Sequence, residues 1–488
     1  MFQLACSACV FAFCIGIRER VFACSDKVCA ARKKQVPTTT QVPSETCVYN
    51  QPPLRSSPFF YGGPDDALLV MGSAPDSFLW PWQLRGKTQV LFIDALCQSS
   101  HLDLLMGYHS AYQGPFLKTQ NFILKSDGPL PYDQRHYIAI MAAARHNCSY
   151  LVNMQREAFL SPDVAGDKSW LQGLHCIPKK LRDLDEINKI LAHRPWLITK
   201  EHIEKLTKGK NNWSLSEVVQ AIVILAHFHA LSSFVFGCGI NADMEEETNG
   251  TVVYSANGDS GVPIMKNGQT TVETIMQKMK NISEQRSNEP TLEERARCFH
   301  TECNGGELPA ARRSVPRNDL SHFVTDADFG YQDFARREVS EIPTFRIQDY
   351  SWEDHGYSLV NRLYNDVGEL LNEKFKVAYN LTYYTMGSRT NVDTSMFRRA
   401  VWNYIQCIYG IRHDDYDYRE VNELLDRDLK EYIKAVCCYP DRMTKEDYDN
   451  VMREFKYSEK VHVTIMILEA RMQAELLYAL RALMRYMT

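Results

Sequence analysis

The sequence predicts an all-α fold. Three observations carry that prediction. Long stretches lack proline and glycine and place apolar residues at helical spacing, capping boxes mark helix starts, and no segment alternates polar and apolar residues as a half-buried strand does. The chain has 488 residues, 45% hydrophobic and 24% charged. That is globular composition, with length for about three average domains. A net charge of −5 at pH 7 argues against a general nucleic-acid binder, whose affinity rests on excess Lys and Arg facing phosphates. The 15 cysteines are odd in number and mostly scattered, which fits reduced thiols in the cytoplasm better than a disulfide framework, with the nucleus open as a second compartment.

Taken in order, residues 1–84 are expected to form a disordered leader. Their first third holds Cys6, Cys9, Cys14, Cys24 and Cys29, and the rest is rich in Pro, Ser, Thr and Gly. The apolar run 2–17 falls short of the ~20 residues a membrane helix needs. Arg18, Glu19 and Arg20 follow it, the reverse of a signal peptide, so no membrane span is expected. Residues 85–243 read as a first helical domain. The stretch 132–160 reads as helical, and Thr199 as the cap of a later helix. Ser214 and Glu217 form a capping box that opens an apolar helix reaching Phe236, with Gly237 as its left-handed stop. Gln220, His227, His229 and two serines interrupt that helix, so it reads as buried core rather than a membrane span. Residues 244–315 are expected to be a flexible linker with one docking helix, marked by Val272, Ile275, Met276, Met279 and Ile282. Residues 316–488 form a second helical domain. Val421, Leu424, Leu425, Tyr432, Ile433 and Val436 make one helical stripe there, Thr444 and Asp447 a further box, and Ser458 opens a long final helix.

Five constellations bear on chemistry. Asn147 can cap a helix with Cys148 in its first turn, where the helix N-terminus and Arg145 would favour thiolate, the form that attacks peroxides. The bland alternative is an inert buried cysteine, and no resolving cysteine stands three residues on. His227 and His229, two apart on one helix, point about 200° from each other and so read as core histidines rather than metal ligands. The run from Cys298 through His300 to Cys303 lacks the second ligand pair of a zinc site, so no metal is expected. Thr382, Thr385, Thr390 and Thr394 surround a turn at Gly387, ahead of Arg398 and, later, Glu459. A free amino acid needs one cation for its carboxylate, one anion for its ammonium and apolar walls. Arg398 and Glu459 supply the two charges, unless they are ordinary surface residues. Asp414 and Asp415, beside Tyr416 and Tyr418, suit a helix entry or a protein interface, and lack the spacing of a calcium loop.

Six strings together resemble the sestrin family. They are Ala142-Ala-Ala-Arg-His-Asn-Cys-Ser-Tyr-Leu151, Leu191-Ala-His-Arg-Pro-Trp-Leu-Ile-Thr-Lys-Glu-His-Ile203, Ser233-Phe-Val-Phe-Gly-Cys-Gly-Ile240, Asp349-Tyr-Ser-Trp-Glu-Asp-His-Gly-Tyr357, Ile411-Arg-His-Asp-Asp-Tyr-Asp-Tyr418 and Ser458-Glu-Lys-Val-His-Val463. The likeness spans about residues 85–488 apart from the linker. It implies two helical halves resembling alkyl hydroperoxidase D, paired about a pseudo-twofold. It implies hydroperoxide reduction through Cys148, with Tyr150 in a proton relay. Gln155 stands where the family's relay histidine is expected, and Gln cannot titrate. For the second half it implies leucine binding: Thr382, Tyr383, Tyr384 and Thr385 as a lid, Thr394 as a clamp, Arg398 for the carboxylate and Glu459 for the ammonium. Met452 replaces a tryptophan of the family's pocket floor. Asp414 and Asp415 match the acidic pair that holds the GATOR-type activator of TOR signalling, and Trp213-Ser-Leu215 resembles a further contact. Peroxiredoxins and Rag GTPases are implied as additional partners, and no cofactor. The expected function is an intracellular leucine sensor that restrains TOR signalling. The rival readings are a thiol peroxidase and a stress-induced scaffold.

Overall fold

The computed structural model describes residues 100–209, 212–240, 271–284, 290–303, 308–314, 320–337 and 342–488. The leader expected at 1–84 lies outside them, as does part of the expected linker. The described chain begins with α1 (His101–Met106), capped by Ser100 Oγ accepting from the Asp103 amide, and α2 (Ser110–Lys125). The helical stretch 132–160 comprises two helices, α3 (Tyr132–Arg145) and α4 (Ser149–Leu160). Asn147 breaks it by entering the left-handed region (φ 56°), which Asn tolerates better than most residues. The Cys148 amide then bonds back to Ala143 O at 3.0 Å, and Cys148 rather than Asn147 stands at the cap of α4.

Next come α5 (Lys179–Asp183), α6 (Asp185–His193) and α7 (Lys200–Thr207), the last capped at Thr199 as expected, though by His202. In α8 (Leu215–Gly237) the predicted capping box is present: Ser214 Oγ accepts from Glu217 N at 3.2 Å, and Ser214 N donates to Glu217 Oε2 at 2.8 Å. The stop is displaced. Gly239, not Gly237, takes the left-handed conformation (φ 71°), and Ile240 N closes the turn on Val235 O. Gly237 serves close packing instead, since a Cβ there would lie 2.9 Å from Thr464 Cγ2.

The expected linker is more ordered than its composition suggested. Its predicted helix is present as α9 (Val272–Glu284), and a second, α10 (Leu292–Cys303), buries Phe299, Glu302 and Cys303. The second half contains β1 (Phe345–Arg346), α11 (Tyr357–Leu363), α12 (Val367–Asn380), the hairpin β2 (Thr385–Met386) and β3 (Arg389–Thr390), α13 (Ser395–Ile408) and β4 (Ile411–Arg412). No described strand exceeds two residues; β1 pairs with β4 in parallel and β2 with β3 antiparallel. The predicted single stripe from Val421 to Val436 is split into α14 (Arg419–Leu424) and α15 (Arg427–Cys438), because Asp426 leaves the helix to cap the Leu429 amide at 2.8 Å. All six stripe residues are still buried. Finally, α16 (Lys445–Asp449) starts at the predicted Thr444–Asp447 box, and α17 (Tyr457–Met487) closes the chain.

The core is built on α8 packed along α17, so both expected domains contribute to one continuous apolar interior. Helix α8 is long and apolar enough to cross a membrane, and its apolar window is wholly buried in this core. Between the two helices Arg471, Glu475 and His229 are fully buried. Arg471 uses all five of its N–H groups: on Glu475 Oε1 (2.9 Å), Ser233 Oγ (2.6 Å), Cys437 O (2.9 Å), Ala192 O (3.1 Å) and His146 Nε2 (2.7 Å). His229 in turn joins Glu475 Oε2 (2.8 Å) to Asn188 Oδ1 (2.9 Å). This network ties α3, α6, α8, α15 and α17 through groups that no water can satisfy in their place.

Candidate functional site

Arg398 lies one turn into α13, and Thr394 is that helix's cap position. Arg398 Nε donates to Thr394 Oγ1 at 3.2 Å, and Nη1 donates to the Tyr379 carbonyl near the end of α12. The chain of contacts continues from Thr394 Oγ1 to Thr382 Oγ1 (3.3 Å), which accepts from the Tyr384 amide at 3.1 Å. Thr382 thus leads into the β2–β3 hairpin. At its tip Gly387 sits at φ 59°, where a Cβ would fall 2.4 Å from Glu454 O, so no other residue fits. Two larger hairpin residues also occupy left-handed conformations, Tyr384 (φ 53°) and Asn391 (φ 59°). Such positions cost roughly 1 kcal/mol or more and persist where surrounding contacts impose them.

The hairpin closes onto Glu459, in the first turn of α17. Thr385 Oγ1 donates to Glu459 Oε1 at 3.0 Å, and the Gly387 and Lys456 amides donate to Oε2 at 2.8 and 2.9 Å. One short hairpin therefore connects a chain of contacts ending on Arg398 with a carboxylate already holding three N–H or O–H donors. Thr390, grouped with these threonines by spacing, is exposed on the outer strand and takes no part. A cleft of about 410 Å³ reaches Arg398 between α9 and α13, lined by Met279, Tyr379, Asp393, Met396 and Arg399, and Glu459 is not on its wall. Met452 (φ 48°) lines a separate cleft of about 80 Å³ with Val272, Ile275 and Phe455, so α9 packs beside it.

Sequence reasoning missed His109, which comes from the first half of the chain. Its Nε2 lies 2.7 Å from Ser458 O, so that nitrogen donates, and Nδ1 accepts from Tyr383 OH at 3.1 Å. Tyr383 stacks on the same ring, its other face being solvent-exposed like that of Tyr384. The only hint in sequence was a polar residue amid the apolar positions of a helix entry.

Burial holds the His109 ring neutral, with its pKa lowered to about 4, and does the same to His413 (about 4) and His462 (about 3). These values lie below the 6.5 of an exposed ring. Over that interval the unfolded chain binds more protons, so stability falls as pH falls. Each histidine should contribute on the order of 1–2 kcal/mol of loss by about pH 5. Urea midpoints measured at pH 7 and pH 5 check this; an unchanged midpoint would contradict it.

At the expected peroxidatic position, Cys148 is buried beside Ser232 and the Leu151 amide, and burial pushes its thiol up to about 12 despite those hydrogen bonds. Burial therefore favours the inert buried cysteine over a stabilised thiolate. Desolvation outweighs the helix N-terminus, and the Arg145 guanidinium donates to the carbonyls of Thr325, Asp326 and Phe329. Tyr150 is buried next to it, and Gln155 accepts a hydrogen bond from His136 Nδ1 at 2.8 Å.

The acidic pair sits just after β4. Arg346 (2.6 Å) and Arg412 (2.7 Å) hold the Asp414 carboxyl below its ordinary range, whereas Asp415 is exposed and contacts Gln348. A cleft of about 300 Å³ opens beside Asp415, walled by Trp352, Tyr379, Trp402, His413 and Tyr416. Trp213 is buried, its Nε1 donating to Lys180 O at 3.0 Å, which leaves Ser214 as the exposed member of that motif. His227 and His229 face different partners, Gln120 and Glu475, as their spacing predicts. Among the described residues, no three His, Cys, Asp or Glu side chains gather into a metal site.

Residues 83–487 match the family described as PA26 p53-induced protein (sestrin). A Drosophila melanogaster protein named Sestrin homolog is 49% identical over 470 residues, spanning 81% of this chain and 94% of its own. Human Sestrin-2 is 50% identical over 420 residues (82% of this chain, 87% of its own), and mouse Sestrin-3 is 51% identical over 417 (79% and 84%).

Proposed function

The chain belongs to the sestrin family, and from that premise we propose that it is an intracellular leucine sensor that holds a GATOR-type activator of TOR signalling and releases it when leucine binds. The observation that carries this reading is the β2–β3 hairpin, which closes on Glu459 and leads back through Thr382 and Thr394 to Arg398. Thr385 Oγ1 and the Gly387 amide donate to Glu459, as a leucine ammonium would. The ligand's carboxylate takes the Arg398 guanidinium in exchange for the Tyr379 carbonyl, a gain because an ionised acceptor replaces a neutral one. Tyr383, Thr382 and Thr394 then close over the ligand, and Tyr384 at the exposed rim is the residue whose strain can relax as the lid moves.

Communication with the partner runs along α13. Next to Arg398, Arg399 grips both oxygens of Glu420 at 2.9 Å, in the helix that follows the acidic pair, while the far end of α13 leads into β4 and Asp414. Leucine favours one arrangement of this unit and the partner the other. The partner's contact falls on Asp415 and its flanking aromatic cleft. A pull-down of the GATOR-type complex by the full-length protein should lose most of its signal in millimolar leucine. Equal retention with and without leucine would contradict the sensor reading and favour a scaffold.

The alternative, a hydroperoxide reductase acting through Cys148, draws less support. Its thiol is desolvated, and Gln155 offers no titratable group to move a proton. Peroxiredoxins and Rag GTPases stay as partners proposed from the family likeness alone, and the cytoplasm as the proposed location.

A further inference from the structure

Helix α10, from the segment whose composition read as a linker, lies against α13. At its C-terminal end Cys303 Sγ is 3.2 Å from Cys407 Sγ on α13, and both are free thiols. Cys303 Sγ also lies 3.2 Å from the Cys407 carbonyl, and Cys407 Sγ lies 3.7 Å from the Phe299 carbonyl. The two sulfurs thus lie between the two helices with no side chain separating them. A bond between them needs an approach of only about 1 Å, to the ~2.05 Å of a disulfide. They differ in access: Cys303 keeps 6% of its surface exposed and Cys407 none.

We propose that Cys303 and Cys407 form a reversible disulfide when the protein meets a hydroperoxide, fastening α10 to α13. Cys303, the more accessible, reacts first. Its sulfur attacks the terminal peroxide oxygen, the O–O bond breaks, and the departing alkoxide takes up the thiol proton to leave as alcohol. The resulting sulfenic acid faces Cys407 directly. The Cys407 sulfur attacks it, the S–O bond breaks, and hydroxide leaves with the Cys407 proton as water. Two electrons pass from the thiol pair to the peroxide, and a dithiol reductant returns them to the disulfide.

The position of α10 gives this bond a consequence. Arg295 Nη1 of α10 donates to the Asp414 carbonyl at 3.1 Å, Phe299 packs edge-on against the Tyr418 ring, and Glu302 pairs with Lys430 at 2.9 Å. Fastening α10 to α13 fixes the helix that supports the acidic loop, so the oxidised protein presents Asp414 and Asp415 on a stiffer base. The bond itself rests on the thiol geometry alone; only this consequence rests on the partner reading above.

The test uses the full-length protein, exposed to tert-butyl hydroperoxide, capped with N-ethylmaleimide and digested without reductant. Mass spectrometry should find one linked peptide pair joining Cys303 to Cys407, lost on adding dithiothreitol and absent in Cys303→Ser. The same link should form in Cys148→Ser, which separates it from any chemistry at Cys148. Cys303 stands at the edge of the core, so Cys303→Ser is the variant to rely on rather than one at fully buried Cys407. Recovery of both cysteines as maleimide adducts, as separate sulfinic acids, or linked to other cysteines would overturn the proposal.

Discussion

Replacing Arg471 with alanine should lower the folding free energy by about 3–5 kcal/mol, the scale expected when one member of a buried ion pair is removed. The side chain is fully buried and its five N–H groups all have acceptors. Its loss takes the cation from the Glu475 carboxylate, which keeps His229, and removes a donor from the carbonyls of Cys437 and Ala192, from Ser233 Oγ and from His146 Nε2. Arg471→Lys keeps the charge but offers only three N–H groups on a thinner stem, so it should recover only part of the loss. A double replacement, Arg471→Met with Glu475→Leu, should cost less than the sum of the single changes, because no charge is left alone. Urea unfolding of the parent, Arg471→Ala, Arg471→Lys, the two single changes Arg471→Met and Glu475→Leu, and the double variant measures this. A loss below about 1 kcal/mol for Arg471→Ala would mean that the network contributes little to joining the halves.

The second large effect concerns ligand recognition. Glu459→Gln should weaken leucine binding by about thirty-fold to several thousand-fold, equivalent to the 2–5 kcal/mol typical of truncating one side of a buried, hydrogen-bonded charge pair. Glutamine keeps an oxygen for the Lys456 and Gly387 amides, so the cap of α17 survives while the negative charge does not. Arg398→Met should have an effect of the same order, through the carboxylate end. Thr390→Ala, on the exposed strand, should bind like the parent protein. Calorimetric titration of each variant with leucine checks these outcomes, and parent-like affinity in Glu459→Gln would remove the carboxylate from the site.

How much of this was legible beforehand follows from what each residue responds to. The capping boxes at Ser214–Glu217 and Thr444–Asp447 are local, needing only three-residue spacing, and the structure reproduces both. The apolar α8 was readable as core because its polar interruptions forbid a membrane face. Errors arose where tertiary contacts override local pattern. Asp426 breaks a helix whose apolar spacing runs on unbroken, and Gly237 was read as a stop when its role is to let α8 approach Thr464. Helix α10 was missed because its sequence is rich in charge, with Glu293, Glu294, Arg295, Arg297 and Glu302, and only Phe299, Glu302 and Cys303 are buried. At Cys148 the sequence left two readings, a thiolate or an inert buried thiol, because a helix terminus is visible in sequence whereas desolvation is not. In the candidate site, Thr382, Thr385, Thr394, Arg398 and Glu459 were nameable from sequence together with family likeness. His109, some 350 residues from Ser458, could not be placed there by any local pattern.

The central claim is that the hairpin, Arg398 and Glu459 together bind leucine. Calorimetric titration of the purified full-length protein with L-leucine tests it most directly, with D-leucine and L-lysine as controls. The account predicts saturable binding of one L-leucine per chain and no comparable heat from either control. No saturable heat at millimolar L-leucine, or equal heat from all three, would contradict it.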